Sequence, residues 1–152
     1  MKEVLPREIQ TKFKNDIQHL HSKTNKWLSE IEFIKIEQQF LNELITDHII
    51  GFCESDKFNK AKLLLNGINH EAKLSEQLIA DIKEHRINLS LLIEHIYIKK
   101  ENDFRKDHEL LKMEVENYIQ NFKYIKEQVF ELVLFIMKKE KQKKLLLRLF
   151  SV

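Results

Sequence analysis

Residues 13–52 read FKNDIQHLHSKTNKWLSEIEFIKIEQQFLNELITDHIIGF. Apolar side chains recur along this stretch at alternating steps of four and three residues, from Phe13 and Ile17 to Leu41 and Ile45. That spacing is the seam period of long helices packed against one another. The stretch therefore predicts one long amphipathic helix, since a strand would alternate with a period of two.

Two further seams with the same period follow, from Phe58 to Ile96 and from Phe104 to Ile136. Each keeps its phase throughout, which indicates three helices packed along their whole length. A few seam positions are polar, among them Thr24, Gln38 and His108. The second seam contains Phe58, Ala61, Leu65, Ile68, Ala72, Ser75, Ile79, Ile82, Arg86, Leu89, Ile93 and Ile96.

The composition agrees with few connections, because the 152 residues include only two Gly and one Pro. Turns depend on such residues, so a sheet protein of this length is excluded. We predict an all-α fold in a single domain, an elongated antiparallel bundle of three long helices over residues 7–52, 56–100 and 103–144, with a C-terminal tail at 145–152. Helices of roughly 40 residues would be about 60 Å long.

The predicted boundaries coincide with capping and turn residues. The first helix is expected to begin near Pro6, which suits a first helical turn. The first reversal is expected at Gly51 and Ser55-Asp56, where Ser55 or Asp56 could cap the next helix. The second reversal is expected at Asn102-Asp103. A break near Asn66-Gly67 or within Ser22-Asn25 would instead give a bundle of four or more helices, because Gly costs about 1 kcal/mol inside a helix.

Charge and cysteine content restrict the class of protein. The formal net charge is only +2, with both signs interspersed, which is not the basic balance of a nucleic-acid-binding domain. Cys53 is the one cysteine, so the chain forms no internal disulfide or Cys-based zinc site. Neither a signal peptide nor a membrane span is evident, and we expect a cytoplasmic protein with no nucleic-acid partner and no membrane partner.

Apolar side chains also occur away from the seams, in the half of the bundle that holds the first reversal. Patches of this kind usually mark an interface, and a two-fold homodimer is the simplest closed way to cover one. A tighter bundle that buries these side chains itself is the alternative. The predicted interface residues are Phe33, Ile36, Phe40, Leu63, Leu64, Phe130, Leu134 and Met137.

The end of the sequence joins a basic stretch, Lys138–Lys144, to an apolar one, Leu145–Phe150. Such a segment could bind a membrane surface or a partner. We expect instead that the third helix continues through the lysines, which suit a helix C-terminus, and that the leucines pack onto the end of the bundle.

No motif for catalysis is found, and no catalytic residue or cofactor is predicted. The Glu-x-x-His spacing of bundle di-iron sites is absent. Some histidines and carboxylates nevertheless lie on or beside the seams, and antiparallel packing would place Glu37 level with Glu71 and His85 near His21. A divalent metal could bind there, although solvated ion pairs would explain the same residues. The metal-site candidates are His21, Glu30, Glu37, Glu71 and His85.

Three short stretches together resemble a group of small, uncharacterised, long-helical bacterial proteins. They are His19-Leu20-His21 ahead of Trp27, the run Trp27-x-x-Glu30-x-x-Phe33-x-x-x-Glu37-x-x-Phe40, and Asp81-Ile82-Lys83-Glu84-His85. The resemblance spans about residues 19 to 90 and implies no activity. It directs attention to His21, Trp27, Glu30, Glu37 and His85.

The sequence thus favours a non-enzymatic helical bundle that acts as a structural or protein-interaction module and associates with itself as a homodimer. The first alternative is a metal-binding His/Glu bundle. The second is a peripheral membrane or adaptor protein that uses the basic and apolar tail.

Overall fold

The computed structural model describes residues 6–95 and 101–151. These residues form four helices: α1 at Arg7–Asp47, α2 at Ile49–Cys53, α3 at Phe58–His95 and α4 at Glu101–Phe150. No strand occurs within those ranges, so the all-α prediction is confirmed. Three of the helices have 38 to 50 residues, whereas α2 has five.

The two breaks that would have given a bundle of more helices are not present. Ser22-Asn25 lies inside α1 and Asn66-Gly67 lies inside α3. A Cβ atom added at Gly67 would meet only Ile125 Cδ1, at 3.7 Å, which is an ordinary van der Waals distance. Gly67 therefore lowers the helix propensity of this stretch, and no close contact requires a glycine at this position.

The first predicted helix, residues 7–52, is instead interrupted at His48. Its backbone has φ −105° and ψ 15°, and its N–H donates to the carbonyl of Ile45, three residues back. The chain then resumes as α2, in which Gly51 allows a close approach. A Cβ atom at Gly51 would lie 2.6 Å from Glu140 Oε1 and 3.0 Å from Ile136 Cγ2.

The other helix limits also differ from those predicted. Helix α3 begins at Phe58 rather than residue 56, because Ser55 Oγ accepts a hydrogen bond from the Lys57 N–H in the turn before the helix. Predicted helix residues 96–100 lie outside the described residues. Helix α4 begins at Glu101, which places Asn102 and Asp103 in its first turn.

The predicted tail is part of α4, which continues to Phe150. Continuation of the helix through the lysines was therefore predicted correctly. The packing of the leucines was predicted wrongly, because Leu145, Leu146, Leu147, Leu149 and Phe150 are 49 to 84% exposed. Buried apolar side chains of α4 end at Ile136, so this end of the helix has no core to join.

The described residues divide into two compact units, and each long helix contributes one segment to each. The first unit comprises the described residues of Met1–Phe33 and Leu74–Ile119. One of its core clusters joins Phe13, Ile17, Leu89 and Phe104, with the Phe13 and Phe104 rings edge to face at 6.0 Å. Each such side chain stabilises the fold by roughly 2 kcal/mol when it leaves water.

The second unit comprises Ile34–Lys73 and the described residues of Gln120–Val152. Its most buried apolar side chains come from all four helices: Leu41, Ile45, Phe52, Ala61, Ile68, Val129 and Ile136. Helix α1 runs parallel to α4 here, since Glu37 pairs with Lys126 at 2.8 Å and His48 pairs with Glu140 farther along both segments.

Most members of the first and third predicted seams are buried, including the polar Thr24, Gln38 and His108, whereas Leu20, His48 and Ile125 are half-buried. The predicted seam of α3 is correct only at alternate members. Alternate members such as Ile68, Ser75 and Ile82 are buried, but Ala72, Ile79 and Arg86 are half-buried, and the residue before each of them is buried instead. Those preceding residues are Glu71, Leu78 and His85.

Candidate functional site

The first unit holds a pair of buried histidines. His85 on α3 and His108 on α4 are 5% and 4% exposed, and His85 Nε2 lies 3.1 Å from His108 Nδ1. One of these nitrogens donates to the other, because each neutral imidazole carries one N–H. Trp27 of α1 stacks on His108, with ring centroids 4.7 Å apart and planes 30° apart. The three helices of the unit thus meet in one aromatic and polar cluster.

Burial changes the proton affinity of both rings. Loss of water lowers the pKa of His108, with smaller contributions in the same direction from His85, Lys112 and His19 and an opposing one from Glu109, and the resulting pKa is about 4. Burial also lowers the pKa of His85, against the attraction of Asp107. Both rings are therefore neutral near pH 7, which lets them share a single hydrogen bond without charge repulsion.

Clefts open on either side of this histidine pair, both within the first unit. One has a volume of about 380 Å³ and is lined by His108, Trp27 and the lysines Lys23, Lys26 and Lys112 with several glutamates. The other has a volume of about 300 Å³ and is lined by His85 with Asp81, Glu84, Asp107 and Glu114. His108 thus borders the cleft that contains the three lysines, whereas His85 borders the cleft that is lined by carboxylates.

The five metal-site candidates do not converge. Glu37 pairs with Lys126, and His85 bonds to His108 rather than lying with His21, whose backbone carbonyl accepts the Thr24 hydroxyl at 2.6 Å. Glu30 lines the cleft beside Trp27. Within residues 6–95 and 101–151, no three His, Cys, Asp or Glu side chains are grouped so as to hold a metal ion.

Glu71 is the fifth candidate and lies in the second unit. Its side chain is 8% exposed, and its Oε2 atom has no hydrogen-bond partner among the described residues. Loss of water raises the pKa of this carboxyl group, against the attraction of His70. Glu71 is therefore a buried polar group that costs stability rather than a ligand held ready by neighbours.

Most of the predicted interface residues are exposed. Five of them belong to α1 and α4 of the second unit and are 42 to 66% exposed; we call them the apolar strip: Ile36, Phe40, Phe130, Leu134 and Met137. Phe33 is exposed in the first unit. Leu63 is exposed on α3, and Leu64 beside it is half-buried.

The strip follows the contact between α1 and α4. Ile36 and Phe40 flank Glu37 on the side of α1 away from the seam, and Phe130 lies one helical turn beyond Lys126. Leu134 and Met137 line a cleft of about 480 Å³ together with His48 and Glu140. The pair of Glu37 and Lys126 therefore joins α1 to α4 at the level of Phe40 and Phe130, and the pair of His48 and Glu140 lies beside Leu134 and Met137.

Helix periodicity places Leu63 on a different side of the second unit. Asn69 of α3 bonds to Asn42 of α1, at 3.5 Å, and so marks the side of α3 that faces α1. Leu63 lies about a third of a turn around the helix from Asn69, and nearly opposite the buried Ala61 and Ile68. It does not extend the apolar strip.

The contact between His85 and His108 was not predicted, because α3 was compared only with α1. The predicted helices, 56–100 and 103–144, would have placed His85 level with a residue well beyond His108 in antiparallel packing. The contact could therefore not be read from the predicted helix limits, and it depends on α4 beginning at Glu101.

The chain matches no family model, no curated protein and no solved structure. No helix in the described part of the chain is long and apolar enough to cross a membrane.

Proposed function

We propose that this protein is a non-enzymatic helical bundle, built on its three long helices, that acts as a structural or protein-interaction module through self-association. The proposal rests on one observation, the apolar strip of Ile36, Phe40, Phe130, Leu134 and Met137, which is exposed along two parallel helices. Contiguous apolar surface of this kind is rare on monomers and usually marks an interface.

A second copy of the chain is the occupant we propose for the strip. A two-fold axis would bring each strip against its own copy, so that apolar side chains meet apolar side chains. Phe40 and Phe130 are the aromatic side chains of the strip and are the best candidates for anchors, because aromatic residues contribute most to interface energy. The neighbouring pair of Glu37 and Lys126 would form part of the polar rim.

The buried polar groups support an interaction module better than a reaction centre. His85 and His108 bond to each other, and Trp27 covers one face of His108. This arrangement joins three helices and favours a role in fixing their packing register.

The test is the mass of the protein in solution, measured by sedimentation velocity over a range of concentrations. We expect wild-type protein to have twice the 18.4 kDa chain mass, and Phe40→Asp and Leu134→Asp to have the chain mass itself. Ile87→Asp is the matched control, since Ile87 is equally exposed but belongs to α3 of the first unit. Circular dichroism would show that each variant keeps its helix content.

Two results would contradict the proposal. One is a wild-type protein that stays monomeric at every concentration. The other is a dimer that Phe40→Asp and Leu134→Asp leave intact. Leu63→Asp adds a further check, because Leu63 lies outside the strip and its substitution is expected to leave the dimer unchanged.

A further inference from the structure

The end of α4, residues 138–150, has a different surface from the apolar strip. It carries six cationic side chains, Lys138, Lys139, Lys141, Lys143, Lys144 and Arg148, and one carboxylate, Glu140. Glu140 is paired with His48, so its charge is directed toward α2 and away from the exposed cations. The exposed surface of this helix end is therefore strongly positive.

The same segment carries large apolar side chains in water. Leu145, Leu146, Leu147, Leu149 and Phe150 are all exposed, Phe150 to 84%. Beyond Glu140, Lys143 of this segment pairs with Glu54 at 3.2 Å, with both side chains more than half exposed. Surface pairs of that kind contribute little, so the segment is held by its own helix.

Helix periodicity places three of the apolar side chains and three of the cations on opposite sides of the helix, whereas Lys139 and Lys143 fall on the apolar side. Leu146, Leu149 and Phe150 are spaced three and four residues apart and share one side. Lys141, Lys144 and Arg148 are spaced by three and four residues and share the opposite side. A helix with Leu and Phe on one face and Lys and Arg on the other is suited to lie in the plane of a lipid interface.

We propose that the end of α4 binds the surface of an anionic membrane, with Leu146, Leu149 and Phe150 inserted among the acyl chains and the cationic side chains reaching the lipid phosphates. Long Lys and Arg side chains can do both, because their methylene stems lie along apolar surface while their charged ends stay in water. The helix would lie on the membrane without crossing it.

Charge complementarity favours an anionic surface over a second copy of the same segment. Two copies would bring six cations against six cations with only two carboxylates between them, which opposes association. A nucleic acid would satisfy the cations but leave the leucines and Phe150 in water. An anionic bilayer satisfies both kinds of side chain at once.

The experiment is flotation of the full chain with vesicles of phosphatidylcholine alone or with about one third phosphatidylserine. We expect binding to the anionic vesicles, weak binding to phosphatidylcholine alone, and loss of binding as salt concentration rises. The variant Leu146→Ser with Leu149→Ser is expected to bind at least about tenfold more weakly, because it removes inserted apolar surface while keeping every charge.

Matched variants distinguish binding through the end of α4 from binding through other charged or apolar surfaces. Lys141→Gln with Lys144→Gln is expected to weaken binding, whereas Lys60→Gln with Lys62→Gln on α3 changes the same charge elsewhere and is expected to bind like wild type. Phe40→Asp is expected to bind like wild type, because Phe40 is on α1 and not in residues 138–150. Both substituted pairs at the end of α4 are exposed, so circular dichroism is expected to be unchanged.

Several outcomes would overturn the proposal. They are absence of binding to anionic vesicles, equal binding by the double leucine variant, or equal loss of binding with the Lys60 and Lys62 pair. A tighter association with a nucleic acid duplex that ignores the leucine substitutions would assign the segment to a different partner.

Discussion

The two units are built from segments of the same three long helices but differ in what they bury and what they expose. The first unit buries the polar side chains of His85, His108, Thr24 and Ser75 among its apolar ones. The second unit exposes the apolar strip of Ile36, Phe40, Phe130, Leu134 and Met137. One seam period runs through both units, so the polar members of the seam and the apolar side chains outside it, rather than the period, decide what each unit can bind.

The largest effect that we expect from this contrast is pH-dependent stability of the first unit. The pKa of His108 is about 4 in the folded protein and near its ordinary value of 6.5 in the unfolded chain. Between those values the unfolded chain binds a proton that the folded protein does not, so acidification favours unfolding. The free energy of unfolding should fall by about 3 kcal/mol from pH 7 to pH 4 because of this one group.

Urea unfolding at several pH values between 7 and 4 measures this change. His108→Phe is the comparison variant, since it keeps a ring against Trp27 and removes the titrating group. The carboxyl groups titrate in both proteins, so the difference between the two pH profiles isolates His108. Parallel profiles would show that His108 is not the source.

A smaller effect of opposite sign is expected in the second unit. Burial raises the pKa of Glu71, so the charged form of its carboxyl group opposes folding. The free energy of unfolding should therefore gain from this group as pH falls through the raised pKa toward 4.5. Glu71→Gln should therefore stabilise the protein at pH 7 by about 1 kcal/mol. The gain should shrink on acidification.

Thermal and urea unfolding of Glu71→Gln provide the measurement. Glu76→Gln is the control, because Glu76 is an exposed carboxylate on the same helix and should change stability by less than about 0.5 kcal/mol. A destabilised Glu71→Gln would mean that the carboxylate has a partner that the static structure does not contain.

The smallest effect concerns the ion pair beside the apolar strip. Glu37 and Lys126 are 2.8 Å apart with side chains 26% and 30% exposed, and such partly exposed pairs contribute about 0.5 kcal/mol. A double-mutant cycle with Glu37→Gln and Lys126→Met measures their coupling. The coupling should increase at concentrations where the dimer forms, because the partner strip would displace water from the pair. A coupling that is independent of concentration would place the dimer contact elsewhere.

The fold class followed from the sequence because seam period and the lack of Gly and Pro act over many residues at once. Ile17, Ile31 and Val129 are buried for that reason. The interruption at His48 was not predictable from the period, since the seam continues through it to Phe52. It depends on how closely Gly51 approaches Glu140, which is a contact between helices distant in sequence.

The sites were harder to predict than the fold. Most of the exposed strip was identified, because large apolar side chains off the seam are visible in the sequence. Glu71 and His85 were expected to flank the seam of α3 and are buried in it. From Ile68 to Leu89 the buried positions of α3 follow a step of three and then a step of four residues. The predicted seam took the step of four first, so every second member fell one residue too late.

The units also differ in the probes that they carry. The chain contains one tryptophan and one cysteine. Trp27 lies in the first unit against His108, and Cys53 lies in the second unit with an exposed thiol at the end of α2. Indole emission therefore reports on one unit and a dye attached to the thiol reports on the other, without any substitution. Superimposable denaturation curves from the two signals would show that the units melt together, and separate curves would give each its own midpoint.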